Sequence, residues 1–179
     1  GQSNERGQRL VDDERSYSAF TFAYNRTLVA ERCGDLMTVI AHAVKTNSQA
    51  GNSAEPGNER SIHLLATGKS VGWAAPAAAL AGPLINRAIL ATDGFRFAQV
   101  DGYKDPQFVP GAVKYGDLPA LLALRAPHAL MILGEPQLPE LTAAAYSAAG
   151  ATPNLRLSVS REIEESALAW LLDESLGNP

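Results

Sequence analysis

Apolar positions along the chain fall into short continuous runs separated by stretches of helical period, the pattern of strands and helices taking turns. Leu28, Val29, Arg32, Cys33, Leu36, Met37, Ile40, Ala43 and Val44 recur at three and four, which predicts an amphipathic helix to about Lys45. Asn25 or Thr27 is its candidate cap. Residues 46–60 hold almost nothing apolar and read as a surface loop. Residues 61–67 form a brief apolar run that stops at Gly68. An alanine-rich helix from Trp73 to Leu80 follows, closed by Ala81-Gly82-Pro83. Ala88–Thr92 and His128–Leu133 are two further buried strands, and Leu155–Val159 alternates as a fourth. Helical segments are predicted at Pro119–Leu124, at 139–149 with Gly150 as C-cap, and at Glu162–Leu172. Between them, residues 95–118 carry repeated turn signals and read as a long loop, a length often tied to function.

Four strands separated by helices, the first three as continuous apolar runs, predict a mainly parallel sheet covered on both faces. The expected fold class is α/β, a three-layer αβα sandwich. Residues 1–16 are polar and read as a flexible N-terminal segment, leaving 17–179 as one domain. In Tyr17–Tyr24, Phe20, Phe22 and Tyr24 stand at period two, which suits a short extended segment or an aromatic loop on the core.

Composition narrows the functional classes. A net charge of −4 lacks the basic footprint of a nucleic-acid binder. No apolar run approaches the roughly 18 residues of a membrane span. The single cysteine, Cys33, excludes an internal disulfide framework and leaves the compartment open. No motif asks for a cofactor or a metal.

The candidate chemistry lies between the first strand and its helix. Gly68-Lys69-Ser70-Val71-Gly72 is a G-x-S-x-G pattern in strand–turn–helix context, a nucleophile elbow with Ser70 at its apex. Gly68-Lys69-Ser70 also looks like the end of a phosphate loop, but His63 stands where that loop needs a glycine. An anion site at the helix N-terminus is a weaker alternative. Beyond the carboxyl ends of the strands emerge Ser70, Asp93, Glu135 and Ser160. A serine nucleophile needs a base oriented by an acid. Glu135 is the best-placed acid and Asp93 the second choice, although both also suit plain turn positions. No base is in view: His42, His63 and His128 all precede Glu135, and the segment after the fourth strand reads Ser158-Val159-Ser160-Arg161.

Through the elbow and its flanking elements the chain resembles the α/β-hydrolase superfamily over roughly residues 17–175, matching the later half of that fold. Thr21-Phe-Ala-Tyr-Asn-Arg26, Asp93-Gly-Phe-Arg-Phe97 and the proline-rich loop behind it loosely resemble the acetyl-xylan-esterase branch. The resemblance implies a serine esterase acting on a small ester, with Ser70 as nucleophile, Glu135 or Asp93 as acid and the Val71 amide in the oxyanion hole. The chain departs from the family in lacking its first strands, in replacing its histidine around Ser160 or Arg161, and in placing Pro76 in the elbow helix. A non-catalytic hydrolase-like module for binding or assembly is the competing expectation. A truncated sheet would also leave the elbow strand as an open edge, to be covered by a second copy or a partner chain.

Overall fold

The run Arg87–Ala91 is buried at every position, as a strand covered on both faces must be. The computed structural model describes Phe22, residues 25–51 and residues 61–172. Within them, β1 (His63–Thr67), β2 (Arg87–Ala91), β3 (Ala129–Leu133) and β4 (Leu155–Ser158) form a wholly parallel sheet in the order β1-β2-β3-β4. The register sets Thr67, Ala91, Leu133 and Ser158 side by side, so the four carboxyl ends make one rim.

Among the described residues five α-helices accompany the sheet: α1 (Leu28–Gly51), α2 (Val71–Ala81), α3 (Asp117–Ala123), α4 (Glu140–Ala148) and α5 (Glu165–Leu172). Alternation along the strands splits the core in two. Ala66, Ala88, Leu90, Leu130, Ile132 and Leu155 face the side packed by α1 to α4. Ile89, Ala91, Met131 and Leu133 face Ala167, Trp170 and Leu171 of α5. The connections through α2, α3 and α4 link strands in sequential order, so crossovers of one hand leave all three helices on one face. The expected α/β class, with helices on both sides of a parallel sheet, is what the chain forms.

Several boundaries differ from the periodicity, and α2 begins at Val71, two residues before Trp73. Helix α1 continues to Gly51 instead of ending near Lys45. In its polar tail Thr46 and Ser48 turn their hydroxyls back onto the carbonyls of His42 and Val44, so neither competes for a backbone amide as it would in a turn. Helix α3 begins at Asp117, so Pro119 falls in its first turn, where no backbone donor is needed. Helix α5 begins three residues late, at Glu165, because the Ser160 hydroxyl accepts from the Glu162 amide and donates to its carbonyl, holding a turn there. The 1–16 segment lies outside the described residues. So does Tyr17–Tyr24 apart from Phe22, which has helical backbone and packs its ring 5.3 Å from that of Phe108.

Candidate functional site

The turn after β1 is built differently from what its sequence pattern suggests. Gly68 carries the left-handed backbone, at φ +55°, a conformation that glycine takes at no steric cost. Ser70, two residues on, is helical at φ −69°, ψ −21°. Its hydroxyl folds back onto its own turn, donating to the Thr67 carbonyl at 2.7 Å and accepting from the Thr67 amide at 3.1 Å. The side chain therefore closes the first turn before α2, as a capping residue does. The Val71 amide, the candidate oxyanion donor, donates to the Gly68 carbonyl.

The loop from 95 to 118 lies over this turn. Gln107 is buried and donates through Nε2 to the Lys69 carbonyl at 2.5 Å. Its amide sits against Gly72, where an added Cβ would lie 2.5 Å from Oε1. A side chain at position 72 would push Gln107 aside, so the second glycine of the G-x-S-x-G pattern makes room for a covering residue.

Glu135 follows β3 at the rim, as the sequence predicts, and it is buried. Its carboxylate has a full set of partners. Arg96 grips both oxygens, Nη1 to Oε1 at 2.7 Å and Nη2 to Oε2 at 2.9 Å, and the Thr92 hydroxyl donates to Oε1 at 2.6 Å. Burial pushes this carboxyl up, but the hydrogen bonds from Arg96 and Thr92 and the Arg96 charge outweigh it and hold it below the ordinary value. The Arg96 guanidinium is correspondingly raised, through its hydrogen bond to Glu135. Asp93 is exposed at φ +50°, directly beside Gly134. Neither carboxylate hydrogen bonds to Ser70.

The histidines stand apart from the rim. His63 opens β1 and His128 precedes β3, both at the amino edge of the parallel sheet. His128 is lowered by burial and by the nearby Arg125 charge. His42 is exposed on α1. Ser160 closes the turn into α5. The sequential strand order has no reversal, so the crevice that opens at a switch point has no place among the described strands. No group of three or more metal-ligating side chains occurs among the described residues, and no described helix is long and apolar enough to cross a membrane.

Four residues of this region have no catalytic role in the sequence reading: Arg96, Thr92, Gln107 and Asp117. Asp117 accepts from the amides of Phe97 at 2.7 Å, Ala98 at 3.0 Å and Leu118 at 2.6 Å, tying the start of the long loop to the start of α3. One signal for Arg96 was available in the chain. A glutamate directly after a buried apolar strand needs a cation, and Arg96 is the arginine that follows the neighbouring strand. Comparison with family models, with curated proteins and with solved structures finds no match to this chain.

Proposed function

We propose that this chain is a non-catalytic α/β-hydrolase-like binding module. The observation that carries the reading is the turn itself. The left-handed elbow position is held by Gly68, which has no nucleophile, and the Ser70 hydroxyl is committed to the Thr67 backbone in both directions. Two further groups are engaged elsewhere in the same way: Val71 N–H with Gly68, and Glu135 with Arg96 and Thr92. With no histidine at the rim, the hydroxyl lacks a group to take its proton. What remains is a rim of strand ends with a covering loop, a scaffold suited to holding a ligand.

The test is a fluorophosphonate probe and a short-chain aryl ester, applied to the wild type and to Ser70→Ala. Absent labelling and equal, negligible hydrolysis in both proteins are expected. Labelling and turnover that vanish with Ser70→Ala would replace this reading with the serine esterase.

A further inference from the structure

Between α1, α2 and the segment from Phe97 to Leu121 lies a cavity of about 510 Å3, inside the range of roughly 300–1,000 Å3 typical of small-molecule sites. Its walls are apolar, with Val29 and Met37 on α1, Pro76 and Leu80 on α2, and Val109 and Leu121 across from them. Few polar groups line it, and two of them are already occupied. The Thr27 hydroxyl accepts from the Ala30 amide at 3.1 Å, and the Asp117 carboxylate is turned onto three backbone amides. Arg26 is different: it is exposed at the cavity's edge and makes no hydrogen bond or ion pair with another described residue. An apolar chamber with one available guanidinium at its edge matches one ligand chemistry, an aliphatic tail ending in an anion.

We infer that this cavity binds a medium-chain monocarboxylate, its alkyl chain between α1 and α2 and its carboxylate on Arg26. A guanidinium takes a carboxylate through two parallel hydrogen bonds, which fixes the head while the walls bury the tail. The Asp117 charge does not repel the head strongly, because the three amides and the nearby Arg96 already answer it. The inference rests on the binding-module reading, and the two fail separately. Ester turnover lost in Ser70→Ala would sink the non-catalytic reading and leave the cavity's occupant unaffected.

Gly34 supplies the decisive variant. It lines the cavity, and a Cβ added there meets nothing within 4 Å, so Gly34→Leu fills the space without straining α1. Octanoate, decanoate and decanol are titrated calorimetrically into the full chain, the Arg26→Gln variant and the Gly34→Leu variant. Decanoate should bind the wild type about tenfold more tightly than octanoate, from two further buried methylenes. Arg26→Gln should weaken decanoate roughly tenfold and leave decanol within about twofold. Gly34→Leu should abolish binding of both while the circular-dichroism melt stays cooperative. The inference is overturned by no saturable binding of decanoate to the wild type, by equal decanoate affinity in Arg26→Gln, or by undiminished binding in Gly34→Leu. It is equally overturned if sedimentation shows a dimer that Gly34→Leu dissociates, since a second copy would then be the occupant.

Discussion

At the scale of single residues, Ser70 and Glu135 each hold hydrogen-bond partners whose loss is measurable. Ser70→Ala removes the hydroxyl that joins both backbone groups of Thr67, which should cost about 1 kcal/mol, the usual loss for a capping side chain. Gly68→Ala forces a Cβ into the left-handed region and should cost a further 1–2 kcal/mol or so. Urea melts of the two variants check both values, and an unchanged midpoint in Gly68→Ala would mean the turn has another available shape. Glu135 makes a claim about pH. Its folded pKa lies below its unfolded value, so its contribution is complete above the unfolded value of about 4.3 and is lost as pH falls through the folded one. Glu135→Gln should therefore be less stable than wild type by about 1–2 kcal/mol at pH 7, discounted because the Arg96 side chain is 27% exposed. The gap should narrow below about pH 4. A gap of constant size from pH 7 to pH 3 would show that shape, not charge, makes Glu135 matter.

Among the elements, α2 has a support that its sequence hides. Arg125 is almost fully buried, and its guanidinium donates to the carbonyls of Ala78, of Gly82 and, at 2.5 Å, of Ile85. Burial lowers its pKa to about 10, so it stays charged at neutral pH and sits where the helix dipole is negative. Arg125→Leu should cost about 3–5 kcal/mol, because carbonyls at the end of α2 lose their donor inside the core. Thermal melts of the variant give the value, and a loss under 1 kcal/mol would mean water replaces the guanidinium. This residue shows what periodicity can and cannot convey. The strands were readable because buried parallel strands are continuous apolar runs, and β2 and β3 fall within one residue of their predicted bounds. Gly150 also ends α4 as expected, at φ +65° with the Ala151 amide reaching the Tyr146 carbonyl. Arg125 and Gln107 were not readable, since each acts on residues 38 or more positions away. The turn at Gly68 misled for a related reason. A G-x-S-x-G string fixes which residues are small and polar, but not which of them takes the positive φ.

At the scale of the whole molecule, the sheet's first edge has no neighbouring strand among the described residues. Among the described residues β1 pairs only with β2, and its pattern alternates between buried Ala66 and exposed Leu65 and Thr67. Helix α5 covers Ile89, Ala91, Met131 and Leu133 but not Leu65, which is 40% exposed. An apolar side chain on a strand edge that has no neighbouring strand among the described residues is the arrangement that recruits another chain. The expected consequence is self-association at high concentration, visible as a rising mass in light scattering. Leu65→Lys should lower that mass toward the monomer with a change in stability of no more than about 0.5 kcal/mol, because a half-exposed edge position loses little packing. Its charge would blunt the edge as edge lysines do in other sheets. The same series separates this edge from the cavity on the opposite side of the sheet. Decanoate should leave the scattering mass unchanged, and Leu65→Lys should leave decanoate affinity unchanged, because α1 and α2 pack on the face that Leu65 does not share. A mass that stays monomeric in the wild type at every concentration would show that the edge needs no cover. The proposed binding role would then rest on the cavity alone.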